Sequence, residues 1–428
     1  MLIQFHFKNF KSFKDDSILD FSAAKIQDLS ESVVTAGGEK LLPAAAVYGA
    51  NASGKSNVIA ALRFMTYYVY NSFSFGDTNQ ERKLRLAAPK ITPFLFSAAS
   101  RQEPSLFEVY YIEKENKTFR TYNYGFTIDE NGVAEEWLNQ VLRFGGDVKE
   151  IFYRERGSEL SMPGLTEHQR ELVRLSLNDE TLIVSLGAKL RISRLKKVYD
   201  WFEGIHIANF GNATENLAYA HVIPRGFTSE KKVQDDVVRF LSSFDPSIVG
   251  FRVEKQSQDA DYGESYKIYT IHNTEDGGKI ELPLNEESGG TLNMFALYPF
   301  LQETLESGGI LVVDELNARL HPLLVRNLVI SFTNPSVNVN HAQFIFTTQD
   351  VWQLSDGSLR RDEIWFTEKN TAGESSLYSL MDIVNADGQH IRGDENLTRN
   401  YMLGKYVAIP ELTDNICAAM THTSNSKA

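Results

Sequence analysis

The stretch Gly49-Ala50-Asn51-Ala52-Ser53-Gly54-Lys55-Ser56 sets two glycines, a lysine and a hydroxyl residue at the spacing of a phosphate-binding loop. Working outward, Ala44–Tyr48 is a short apolar run, and Lys55–Tyr70 places Val58, Leu62, Met65 and Val69 at helical spacing. The order is strand, glycine-bearing loop, helix. In that context the glycines let the backbone curl until its N–H groups face an anion at the positive end of the helix. Lys55 then reaches the β- and γ-phosphates of a nucleotide, and the Ser56 hydroxyl reaches Mg²⁺. Gly49, Asn51, Ser53, Gly54, Lys55, Ser56 and Asn57 are the residues expected around the nucleotide.

Two later segments fit the same chemistry. Ile310-Leu311-Val312-Val313 reads as a buried strand that ends in Asp314-Glu315. Two carboxylates at the mouth of such a strand are costly unless they meet a cation or polar partners. Asp314 is expected to hold Mg²⁺, directly or through water, and Glu315 to orient and deprotonate the attacking water. Glu287-Ser288-Gly289-Gly290-Thr291 opens a helix. Ser288 serves there as an N-cap, and a Ser-Gly-Gly turn at a helix N-terminus is also an anion site.

The rest of the chain supplies a frame. Residues 2–13 alternate apolar and polar side chains, as a strand does; Phe107–Ile112, Tyr122–Ile128 and Trp137–Leu142 read as antiparallel strands. A helical stretch spans about 167–202, too irregular for a long coiled coil. From Ser288 onward helix and strand alternate, which argues for a mainly parallel sheet. The expected fold class is α/β, with 1–90 and 271–420 forming one core, 91–270 an inserted α+β lobe of strands and helices, and 421–428 a disordered tail.

Bulk composition narrows the function classes. A net charge of −13 over 428 residues excludes a broadly basic nucleic-acid-coating protein and leaves nucleic acid open as a local partner. The densest basic run, Lys189–Lys197, reads first as the solvated face of a helix. No run of roughly 18 apolar residues is present, so no membrane-spanning helix is expected. One cysteine, Cys417, leaves no internal disulfide and suits the cytoplasm.

These segments together resemble the ABC-type, SMC-like and RecF-like ATPases. Ser288-Gly289-Gly290-Thr291 resembles the signature motif, Leu316-Asn317-Ala318-Arg319-Leu320-His321-Pro322 the D-loop, Thr347-Thr348-Gln349-Asp350 the switch loop, and Phe7-Lys8-Asn9-Phe10-Lys11-Ser12-Phe13 the N-terminal strand. The resemblance implies an ATPase head that uses ATP and Mg²⁺ in a homodimer or higher assembly, with Ser288, Gly289 and Gly290 closing the partner's site and Gln349 at the catalytic switch position. Two positions depart from the pattern: Gln349 stands where histidine is usual and Asn317 where aspartate is usual. Glutamine still donates a hydrogen bond but carries no charge, so both departures bear on hydrolysis rate rather than on binding.

A narrower resemblance lies in Arg360–Phe366, Leu377–Leu380 and Tyr401–Tyr406, which are similar to the RloA type of bacterial ATPase. It implies a sensor or scaffold in anti-phage defence whose toxic or nucleolytic step belongs to a separate effector. Two other classes stay open: a DNA-repair ATPase of the SMC or RecF kind, and a non-hydrolysing, nucleotide-dependent interaction protein.

Overall fold

The computed structural model describes every residue except 76–87, 117, 143–145, 213–214, 216–222, 260–262, 319, 386–387, 394, 407 and 410–428. The expected tail at 421–428, Cys417 and Arg319 therefore lie outside the described residues.

Two large sheets meet across one helix. The first is antiparallel. It is built from β1 (Leu2–Lys8), β2 (Ser17–Asp20), β6 (Ser105–Glu115), β7 (Thr118–Asp129), β8 (Gly132–Val141) and β9 (Val148–Glu155), in the order β2-β1-β6-β7-β8-β9. A small ribbon, β3 (Val34–Ala36) with β4 (Glu39–Leu41), precedes β5 (Ala44–Gly49). The second sheet runs β10 (Ile205–Asn209), β14 (Ile310–Asp314), β15 (Gln343–Thr347), β5, β16 (Ile364–Lys369) and β17 (Ser375–Ser379). Its neighbours are parallel except β17, which turns back along β16. Residues 105–155 thus share a sheet with β1, and 205–209 share one with β14.

Helix α1 (Lys55–Asn71) lies between the sheets because its apolar residues cover two sides. Ala45 and Val47 of β5 face the core shared with α1 and the antiparallel sheet, whereas Ala44, Ala46 and Tyr48 face the other core. That alternation is the period-two geometry of a strand. Every residue of β5, β14 and β15 is buried, as expected where both faces of a parallel sheet are covered. Phe64 stacks on Phe107 with centroids 5.0 Å apart, fixing α1 to the antiparallel sheet.

The region expected as one helical stretch is three helices: α2 (Glu167–Ser176), α3 (Ile183–Lys189) and α4 (Ser193–Glu203). The break between α3 and α4 falls at Arg191, whose φ of 58° is left-handed. The basic run straddles this break, and its three lysines are engaged locally. Lys196 pairs with Asp200, Lys197 with Glu115, and Lys189 sits over the Phe73 ring.

A third, smaller sheet joins β11 (Ile248–Asp259), β12 (Gly263–Asn273) and β13 (Lys279–Pro283), with α5 (Lys231–Ser242) packed on β11. Phe251 of β11 meets Phe295 of α6 (Gly289–Ser307) at 5.8 Å. Helix α7 (Pro322–Thr333) covers the same face of the parallel sheet, and α8 (Leu397–Met402) lies near the C-terminal end of the described chain. Among the described residues no helix is long and apolar enough to cross a membrane.

Candidate functional site

The loop between β5 and α1 is closed by contacts that leave no room for side chains. A Cβ on Gly49 would lie 2.5 Å from the Thr367 carbonyl oxygen, and one on Gly54, where φ is 120°, would lie 2.8 Å from Ser375 Oγ. Glycine is therefore required at both positions. Lys55 is only 6% exposed. Its Nζ donates to the carbonyl oxygens of Gly49 at 2.7 Å and Ala50 at 2.9 Å. Burial lowers its pKa, and the charges of Glu315 and Asp314 oppose that effect. A buried ammonium held by neutral carbonyls is suited to exchange them for an anion.

Asp314 ends β14 at 3% exposure. Its Oδ1 accepts from Thr347 Oγ1 at 2.6 Å and from Ser56 Oγ at 3.2 Å. Thr347 Oγ1 in turn accepts from the Glu315 N–H at 2.7 Å. This one hydroxyl, at the end of the neighbouring parallel strand, ties both acids together. Glu315 takes a left-handed φ of 54° there, an uncommon conformation held by its surroundings. The turn sends the Glu315 carboxylate over the end of β10: a Cβ on Gly211 would lie 2.2 Å from Glu315 Oε2.

The donor set fits Mg²⁺. Ser56 and Asp314 offer adjacent oxygens, which a hard cation prefers. Among the described residues no group of three or more His, Cys, Asp or Glu side chains is placed to hold a metal. A divalent ion here would thus take one carboxylate, one hydroxyl and oxygens from ligand and water.

The remaining expected residues fall into two groups. Ser53 Oγ lies 2.6 Å from Thr367 Oγ1, and Asn57 Nδ2 donates to Ser12 Oγ at 2.8 Å, so both side chains bind the surrounding frame. Asn51 is exposed at the loop tip. Gln349 is exposed, and its N–H donates to Asn317 Oδ1 at 3.3 Å; Thr348 Oγ1 donates to the same oxygen at 3.2 Å. Asn317 thus holds the Thr348–Gln349 turn through its carbonyl oxygen, which needs no charge. Ser288 caps α6 by accepting from the Thr291 N–H at 3.1 Å. Among the described residues no hydrogen bond or ion pair joins Ser288–Gly290 to Gly49–Ser56 within the chain.

Several site residues carry no motif of their own. Asn209 is registered beside Asp314, and its Oδ1 accepts from the Gly211 and Asn212 N–H groups. Lys11 lies within electrostatic reach of Asp314. Its pKa is lowered by burial and by Arg63, and Asp314 opposes both. Ser12 and Ser375 lace the first strand's exit to the loop, Ser375 Oγ donating to the Ser53 carbonyl at 2.7 Å. A cleft of about 380 Å³ opens beside Ala50–Ser53, walled by Thr367–Asn370, Ala408 and Ile409.

Comparison with known proteins gives one family. The model described as "AAA domain, putative AbiEii toxin, Type IV TA system" matches residues 44–351, from the first residue of β5 to just beyond Gln349. No curated protein matches the chain. Among solved structures, similarity is found to the "Crystal structure of the SmcHead bound to the C-winged helix domain of ScpA", at 13% identity and a TM-score of 0.40, covering 88% of this chain and 97% of that one.

Proposed function

This chain belongs to that AAA-domain family of P-loop ATPases, and on that premise we propose that it binds Mg²⁺-ATP at Gly49–Ser56 and hydrolyses it between two ABC-type heads. The observation that carries the reading is the knot at the carboxyl ends of β14 and β15, where Thr347 binds Asp314 and the Glu315 backbone while Ser56 reaches Asp314 from α1. Lys55 leaves its two carbonyls for the β- and γ-phosphates. Ser56 and Asp314 hold Mg²⁺, which offsets phosphate charge when bound. Glu315 accepts the proton of a water whose oxygen bonds to the γ-phosphorus as the bond to the β–γ bridging oxygen breaks. Gln349 donates a hydrogen bond toward the departing phosphoryl group.

A second head completes the site. Ser288–Gly290 sits exposed or half-exposed at the start of a 19-residue helix, with no hydrogen bond or ion pair to its own Gly49–Ser56 loop among the described residues. Helix N-termini favour anions, so two heads facing each other present this turn to the partner's nucleotide. The wider role we propose is a cytoplasmic sensor or scaffold of the RloA type in anti-phage defence, with a separate effector. The late motifs support it, as does the toxin–antitoxin wording of the family description. Against a repair ATPase of the SMC or RecF kind stands the absence, among the described residues, of any helix longer than α6. The non-hydrolysing alternative draws on Gln349 and Asn317.

The test mixes two variants. Lys55→Ala should abolish ATP binding, and Ser288→Arg should leave binding to the free head unchanged while blocking hydrolysis. In the mixed dimer one composite site has both defects and the other has neither, so turnover should return. Heterodimers that form but remain inactive would count against the shared site, and wild-type affinity in Lys55→Ala would remove the loop assignment itself.

A further inference from the structure

We infer that His272 and Thr270 of β12 are positioning residues that hold Glu287, and through it the Ser288–Gly290 turn, in the form offered to a second head. The inference rests on the shared-site reading above and names how this chain sets that turn.

Glu287 directly precedes Ser288, and its side chain is 6% exposed. Its Oε1 accepts from His272 Nε2 at 2.7 Å and from Thr270 Oγ1. Thr270 and His272 are two residues apart on one strand and therefore point to the same face. Thr270 is fully buried, and its Oγ1 also lies 3.1 Å from the Leu282 carbonyl on β13. The grip on Glu287 thus belongs to the small sheet and not to α6.

The chain of contacts continues outward. His272 Nδ1 lies 2.9 Å from Ser247 Oγ, which lies 2.6 Å from Asp245 Oδ1. A carboxylate only accepts, so the single Ser247 proton goes to Asp245, and the serine oxygen is left to accept from Nδ1–H. Nε2–H then donates to Glu287. The imidazole thus bridges Ser247, just before β11, and Glu287, just before Ser288.

Electrostatics gives this chain a purpose. A free carboxylate beside a turn meant to receive a phosphate would repel it. Here the negative charge of Glu287 is occupied by the imidazole and the threonine hydroxyl, and the side chain is turned into the sheet. Glu287 keeps an extended backbone at ψ 164° and Ser288 follows at ψ 148°, the conformation in which Ser288 caps α6. Releasing Glu287 frees both its charge and this backbone step. Phe251 against Phe295 couples the same sheet to the body of α6, so a load on the sheet reaches the helix start through two contacts.

The experiment measures ATP turnover and nucleotide affinity together. Glu287→Ala and His272→Ala should each lower kcat by about 10-fold, the low end for losing a charge-assisted hydrogen bond, with the affinity of the isolated head unchanged. Glu287→Gln keeps the acceptor oxygen and should recover most of the turnover. The double alanine variant should be no slower than either single one, because the two act through one contact. Mixed with Lys55→Ala, the Glu287→Ala head should regain turnover at the site whose turn comes from the Lys55→Ala head. Variants that turn over at the wild-type rate, or that lose nucleotide affinity in the isolated head, would overturn the assignment while leaving the shared-site reading intact. A wild-type head with no ATP turnover would overturn that reading and this assignment with it.

Discussion

The two large sheets treat a buried carboxyl group in opposite ways. In the antiparallel sheet Glu136 of β8 is fully buried, and its oxygens accept from the Tyr124 hydroxyl at 3.1 Å and from the N–H groups of Ile183 and Val184 at the start of α3. Each of those partners is itself buried, and burial pushes the Glu136 pKa up to about 7. In the parallel sheet Asp314 is as deeply placed, yet one of its partners is the exposed hydroxyl of Ser56, and Lys55 lies within electrostatic reach. The lesson is that burial of an acid does not announce a site. What separates the two is whether the partners could be exchanged for a ligand's atoms: those of Glu136 are fixed by the fold, whereas Ser56 and Lys55 are not.

The largest expected effect tests the open end of this comparison. Glu315→Gln keeps the side chain's size and removes its basicity, so nucleotide binding should persist while turnover falls by about 10²-fold or more, the low end for a lost general base. Single-turnover hydrolysis checks it, and an unchanged rate would show that another group takes the proton.

A smaller effect is expected at a residue where the atoms nearest an added methyl group belong to the acid's far end. Gly211→Ala puts a methyl group 2.2 Å from Glu315 Oε2. A carboxylate swings more easily than a backbone moves, so the chain should fold normally and Glu315 should be displaced. Turnover should drop by about 10-fold, less than the roughly 10²-fold that a 1 Å misplacement can cost. If kcat holds while the unfolding midpoint falls, the contact is structural and Glu315 is not aimed over β10.

Much of this site was legible in the sequence for a physical reason. Gly49 and Gly54 stand at fixed spacing in one short loop, and Asp314-Glu315 closes an apolar run, so the pattern is visible locally, although the atoms that exclude a Cβ at the two glycines include those of Thr367 and Ser375, far along the chain. Thr347, Asn209 and Gly211 were not legible in their roles. Each acts through its place beside another strand, and a threonine at the end of one parallel strand carries no local mark of the acid on the next. Strand β10 was missed as well, since Ile205–Asn209 is short and gives no clear period. The first strand was read at its start but carried to residue 13, five residues past its end at Lys8, and its pairing with β6, about a hundred residues away, could not be read, because strand order is a long-range property.

The last expected effect leaves turnover alone and falls on stability, in the closed end of the comparison. Burial raises the Glu136 pKa from 4.5 to about 7. The folded chain therefore keeps a proton that the unfolded chain releases over that interval. Its contribution to stability is fully present below about pH 4.5 and is lost as pH rises through about 7. Glu136→Gln should remove that loss, flattening the stability profile between about pH 5 and 8 by at most about 3 kcal/mol, since one pKa unit is worth about 1.4 kcal/mol. Glu363 supplies an internal control. It is buried beside the start of β5, its pKa raised to about 8 by the same cause, and its sign is the same. Glu363→Gln should flatten the profile over an interval reaching about one pH unit higher. Asp129, whose pKa Arg156 holds below the usual range, contributes with the opposite sign at lower pH and does not enter this window. Urea midpoints measured from pH 5 to 8.5 decide the matter. Profiles for wild type and Glu136→Gln that run parallel would mean the carboxyl group ionises without cost, and that the antiparallel sheet is no more closed than the site itself.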